Sequence, residues 1–217
     1  MYHNPSAMPA YTFLYDDACP MCKGYTRVFD SAGVSGRRAF SGVGPDAYPA
    51  LDLNRGRHEI PVVETATGHV YYGLDGMTRA IANRFPALHV LLRSSALQLS
   101  LKPLYWLITY NRRVIAGTKP PAQGFDCAPD YHAGWRWTYV ALALAAVLAI
   151  GLPLTPGVWL FAAALALGLW RAADRLTFLG HFATVAMIFA AVAALLPGEL
   201  GQASAFAIAG LELWRRK

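Results

Sequence analysis

The chain has 217 residues, room for one or two domains, and is 55% hydrophobic but only 15% charged, against about 25% charged in an ordinary soluble domain. The deficit is uneven: 14 Lys/Arg and 10 Asp/Glu fall in the half that ends at Trp137, and only 5 and 3 in the half that begins at Thr138. The net charge of +6 is split between the halves, and no Lys/Arg run is interleaved with aromatics, which argues against nucleic acid as a partner.

The opening "MYHNPSAMPA" (1–9 are read as a tail) has no basic patch followed by an apolar core. It does not read as a secretory signal, and the first domain is expected in the cytoplasm. "YTFLY" (Tyr11 to Tyr15) predicts a strand, and Cys22, Tyr25, Val28 and Phe29 then recur at helical spacing. "RAFSGV" (Arg38 to Val43) is the next candidate strand, and "DAYPALDL" a short helix or loop. "IPVVET" (Ile60 to Thr65), the turn at Thr67-Gly68 and "HVYYG" form a predicted hairpin, followed by a helix over "LDGMTRAIANRF". From Leu88 to Ile115, apolar residues alternate with Arg93, Lys102, Arg112 and Arg113. They predict one or two amphipathic helices interrupted near Pro103, with Arg112 and Arg113 as surface or headgroup contacts. "AGTKPPAQGFDCAPDYHAG" reads as a Pro/Gly-rich linker.

The second half reads as membrane. No charged residue lies between Trp137 and Trp170, a stretch too long for one straight crossing and broken by "GLPLTPG". After "RAADR" an apolar run extends from Leu176 to Leu196, and "ASAFAIAGLELW" precedes "RRK". About four crossings are predicted. Arg136, then Arg171 and Arg175, then Arg215, Arg216 and Lys217 sit on alternate connections, which places both termini in the cytoplasm. Trp135, Trp137, Trp159, Trp170 and Trp214 lie near span ends, and His132 sits beside the first. His181 falls inside the third span near its cytoplasmic end, where an ionisable group either marks function or reaches the interface.

Two of the three cysteines, Cys19 and Cys22, stand in "YDDACPMC" between the first strand and the first helix. That order puts Cys19 at the helix amino terminus and Cys22 about one turn in. Unpaired N–H groups and the helix dipole favour an anion there, so Cys19 is expected to form a thiolate readily. Pro20 suits the first helical position, and Lys23 and Arg27 add positive charge. On this reading Cys19 is the exposed attacker and Cys22 the resolving thiol. Asp16 either moves a proton for the pair or accepts turn hydrogen bonds. A zinc site and an inert thiol pair stay open as alternatives. Zinc would need His58, His69 or Cys127 to complete the ligand set, since no second C-x-x-C exists.

The motif Asp16-x-x-Cys19-x-x-Cys22 resembles the signature of the DCC family of thioredoxin-like proteins, with Tyr15 and Pro20 as common companions. "LYWLITYNRR" (Leu104 to Arg113) is similar to the helix that closes many DCC domains, and Asp17 departs from the family's usual Gly. The resemblance covers roughly residues 10 to 118. It implies an α/β thioredoxin-like domain with thiol–disulfide oxidoreductase activity. It also implies a cis Ile60–Pro61 bond beside the disulfide, with Pro61, Ile60 and Pro20 shaping a substrate groove.

The expected organisation is a thioredoxin-like domain (10–118), a linker (119–136), an all-α transmembrane helical bundle (137–214) and a basic cytoplasmic tail (215–217). Such a protein sits multi-pass in the inner membrane. It needs no cofactor and no metal, and it takes a protein or small-molecule disulfide or thiol as substrate. Beyond the lipid bilayer, a membrane-protein partner for the helical half is envisaged. All three cysteines precede Thr138, which excludes electron transfer across the membrane by thiol exchange. Two rivals are a non-catalytic thioredoxin-like module that recruits a partner to the membrane and a zinc-binding structural domain.

Overall fold

The computed structural model describes residues 9–43, 47–118, 128–151, 156–196 and 198–216. The chain divides into two compact units, and the division falls inside a helix, between Thr109 and Tyr110. The last turns of that helix therefore belong to the second unit.

In the first unit, β1 (Tyr11–Tyr15) leads into α1 (Pro20–Ser31) and β2 (Gly36–Ala39), which is followed by a 3-10 turn at Phe40–Gly42. Next come α2 (Leu53–His58), the hairpin β3 (Pro61–Glu64) and β4 (Val70–Tyr72), α3 (Gly73–Arg84), a 3-10 turn at Pro86–Leu88, α4 (His89–Leu92) and α5 (Ser95–Ala116). The four strands make one mixed sheet in the order β2-β1-β3-β4. β1 and β2 run parallel, with Phe13 beside Arg37, and β3 runs antiparallel to both β1 and β4.

Period-2 alternation places opposite neighbours in opposite cores. Phe13 and Val62, both 0% exposed, pack with Val34, Ala80 and Phe29 on one face. Leu14 and Val63 pack with Phe40, Val70 and Tyr72 on the other. Burying side chains of this size contributes about 1.5–3 kcal/mol each. Helix α3 approaches closely because Gly76 lacks a Cβ, which would stand 2.6 Å from Val62 Cγ2.

Three expectations are corrected here. The second strand ends at Ala39, and Phe40–Gly42 turns away. Helix α2 occupies ground read as helix or loop only as far as Leu53; Asp52 caps it by accepting from Arg55 N–H at 3.0 Å. Pro103 does not interrupt α5, and the break comes earlier, at Arg93-Ser94. The carbonyl orphaned by the proline belongs to Leu99, whose residue is 73% exposed, so water can take the missing partner's place.

The second unit holds the end of α5 with α6 (Ala133–Ile150), α7 (Pro156–Arg171), α8 (Arg175–Leu195) and α9 (Glu199–Arg215). Its core gathers Val185, Phe189, Ala205 and Ala209, and separately Val147, Ala186 and Ala190. Gly151, at φ 88°, ends α6, and Asp174 caps α8 through Leu176 and Thr177 N–H. Four helices thus stand where four crossings were expected. Among the described residues only α6 and α8 combine crossing length with high mean hydropathy, 1.5 and 2.1. Helices α7 and α9, of 16 and 17 residues, rise about 24–26 Å, short of a ~30 Å hydrocarbon core.

Candidate functional site

Cys19 is the N-cap of α1, in extended conformation, and Pro20 occupies the first helical position. The Cys19 carbonyl accepts the first helical bond, from Lys23 N–H at 3.0 Å, and its own N–H donates to the Asp16 carbonyl at 3.2 Å. Cys22 lies inside the first turn, where its carbonyl accepts from the Thr26 hydroxyl at 2.7 Å. Thr26, 0% exposed, takes a core position that the apolar pattern had assigned to Val28, which is 62% exposed. A hydroxyl bonded back to its own helix can be buried without cost to its polarity. The two cysteines are not joined in a disulfide.

The expected exposed attacker is not found: Cys19 and Cys22 are each 3% exposed. The turn between β1 and α1 is drawn in from both sides. Asp16 Oδ1 accepts from Ala18 N–H at 2.9 Å, the turn role foreseen as its alternative. Asp17 Oδ2 accepts from the Ser41 hydroxyl at 2.8 Å, tying the turn to the segment after β2. Burial alone would raise the Asp17 carboxyl, but the Ser41 hydroxyl and backbone bonds and the Lys23 charge outweigh it and hold it below its ordinary value. Asp17 therefore stays ionised and absorbs part of the Lys23 charge expected to favour a Cys19 thiolate. At Cys19 the helix start favours the anion and burial opposes it.

The proline strand also differs from expectation. No cis peptide bond occurs among the described residues, so Ile60–Pro61 is trans, the isomer favoured by about 0.5–1 kcal/mol. Pro61 is fully buried, because α2 lies over it; a Cβ on Gly56 would stand 3.2 Å from Pro61 Cγ. Ile60 N–H donates to the Tyr105 hydroxyl at 3.2 Å, and its carbonyl accepts from Gly73 N–H at 2.9 Å. Both backbone groups of Ile60 are thus engaged within the protein. Pro20 is exposed.

The topology brings these residues to one end of the sheet: Cys19 follows the carboxyl end of β1, and Pro61 begins the antiparallel neighbour β3. Beside Ile60, on the flank away from β1, opens a cleft of about 470 Å³ lined by Arg55, Glu59, Tyr72, Asp75, Lys102 and Trp106 among others. The sequence reading missed Tyr105 and Ser41 as site residues. Tyr105 lies in a stretch singled out for its resemblance, whereas Ser41 carries no signal of its own, being joined to Asp17 only by the fold.

Among the described residues no three His, Cys, Asp or Glu side chains gather as a metal site. His58 sits against the Asn54 carbonyl and Asp130, and His69 against the Tyr71 ring. Cys127 lies outside the described residues. No protein-family model, no curated protein and no solved structure matches the chain.

Proposed function

We propose that the protein is a membrane-tethered, thioredoxin-like dithiol protein of the DCC type, with Cys19 and Cys22 as its redox centre. One observation carries the reading. The two cysteines occupy the cap and first turn of a helix inside a parallel β1–α1–β2 crossover, the setting in which C-x-x-C acts as a redox pair. In the proposed reaction the Cys19 thiolate attacks a substrate disulfide. A mixed disulfide forms and one substrate thiolate leaves. Cys22 then attacks Cys19 Sγ and releases the second thiol. The dithiol gives up two electrons and two protons, and a cytoplasmic thiol reductant restores it. The buried resting state favours a small disulfide, or one admitted by local opening.

Tethering rests on the outer surface of the helical half. Leu148, Trp159, Trp170, Leu195 and Trp214 are each at least 74% exposed. Water disfavours an apolar surface of that extent, and a bilayer accommodates it. The loop charges place both termini in the cytoplasm under the proposed inner-membrane topology.

The test is a Cys22→Ala variant in cells under mild disulfide stress, with mass spectrometry of adducts. A mixed disulfide at Cys19, absent from Cys19→Ser, is the expected result. A second reading, the recruiting module without chemistry, is favoured by the burial of both thiols and by the engaged Ile60 backbone. It predicts that both cysteines of the native protein stay reduced under diamide and resist alkylation until denatured. That outcome would sink the redox reading.

A further inference from the structure

We propose that a cavity bounded by α7, α8 and α9 is a binding site for an anionic phospholipid. This rests on the membrane reading of the helical half and not on the thiol chemistry. The cavity measures about 650 Å³, within the range of about 300–1,000 Å³ usual for ligand sites. Its polar groups are Arg171, His181 and Arg216, while rings such as Phe178 and Trp214 supply apolar wall. Among the described residues no carboxylate lines it. A cationic head end joined to an apolar wall complements a phosphate head joined to an acyl chain. Basic pockets between spanning helices on the cytoplasmic side take anionic headgroups by this complementarity.

The two arginines differ in kind. Arg216 is held rigidly: its side chain is 3% exposed and pairs with Glu212 at 3.1 Å. It also donates to the Val114 and Ile115 carbonyls. Its Nη1 lies 3.0 Å from His181 Nδ1; a guanidinium only donates, so this ring nitrogen is the acceptor. Glu212 is shared between Arg216 and Arg215, which it meets at 2.6 Å. Arg171 is exposed and meets no carboxylate among the described residues, so it carries the charge left to hold a phosphate. Arg171 ends α7, and Arg216 follows α9 directly. Both fall where the loop charges put the cytoplasmic headgroups, and Trp214, 74% exposed, stands with them as interfacial aromatics do. Gly210 lines the cavity, and no atom lies within 4 Å of where its Cβ would stand, so a side chain there starts into open space.

The test uses full-length protein purified in an uncharged detergent, stripped of lipid and titrated by native mass spectrometry. Dioleoylphosphatidylglycerol is expected to bind one per chain and about tenfold more tightly than dioleoylphosphatidylcholine. Arg171→Gln should weaken it about fivefold, the value of about 1 kcal/mol for one cation near an anionic headgroup. Gly210→Leu should abolish tight binding while the variant keeps its thermal unfolding midpoint. Equal retention of the two lipids, or unchanged binding in both variants, would overturn the site. Displacement by millimolar inorganic phosphate would reassign it to a free anion, and displacement by oleate to a carboxylate amphiphile; either overturns the lipid assignment. Alkaline carbonate washing separates the premises: release of the protein from membranes defeats the membrane reading and this proposal together. Retention without lipid selectivity defeats only the proposal.

Discussion

Asp75 accepts two charge-assisted hydrogen bonds, from Arg79 Nε at 2.9 Å and Arg93 Nη1 at 2.5 Å. Burial alone would raise its carboxyl, but the two guanidinium groups outweigh it and hold it below its ordinary value of 3.8. A depressed folded value means that the stabilisation is complete above the unfolded value. It is lost as the pH falls through the lower folded one. The Asp75 side chain is 46% exposed, so solvent screening leaves about 0.5–1 kcal/mol. Asp75→Asn should lose that much stability at neutral pH in chemical denaturation, and the deficit should shrink steadily in acid. An equal deficit at every pH would show that packing, not charge, is what Asp75 supplies. The same scale decides how Cys19 is covered. If the Asp17–Ser41 bond holds the turn shut, Ser41→Ala should speed alkylation of Cys19 roughly tenfold, about one charge-assisted hydrogen bond of local opening. An unchanged rate would mean that the cover lies elsewhere.

The elements read best from the residues were those whose local pattern and final environment agree. β1 coincides with "YTFLY", and the hairpin with its turn falls where the β-branched runs and Gly68 place it. The spacing of Cys19 and Cys22 around a helix start was equally legible, because a cap, a proline and one helical turn are local facts. Their burial was not, since a group that closes the site comes from afar: Ser41 lies 24 positions from Asp17. Helix α2 was hidden for a related reason. "LNRGRH" has a weak apolar stripe, and its buried contact is made by a glycine. Helix α5 runs the other way, carrying a residue that disfavours it. Interior proline costs a helix about 3 kcal/mol relative to alanine, and Pro103 is exposed. Pro103→Ala should therefore raise stability by about 1–3 kcal/mol in thermal or urea unfolding. A loss instead would mean that a bend at that residue is part of the native helix.

At the scale of the whole molecule, crossing number is the quantity that composition and geometry divide over. The alternating loop charges favour four crossings, yet α7 and α9 are short for the core, and among the described residues only α6 and α8 are both long and apolar enough to cross. Shortness alone does not forbid a crossing, since local thinning of the bilayer costs only fractions of a kcal/mol per Å. Burying Arg171, or the arginines at the end of α9, in hydrocarbon costs several times more. The charges should therefore prevail. The two topologies differ at single positions, which can be read on a background with Cys19, Cys22 and Cys127 replaced by serine. With four crossings, an impermeant maleimide applied from outside reaches Thr155→Cys and Pro197→Cys, while Ala173→Cys and Lys217→Cys react only after permeabilisation. With α6 and α8 alone crossing, Ala173→Cys becomes reachable and Pro197→Cys does not. The pair 173 and 197 thus exchange behaviour between the alternatives. The expected pattern, 197 open and 173 closed, follows from arginines that stay on the side where phosphate and water can hold them.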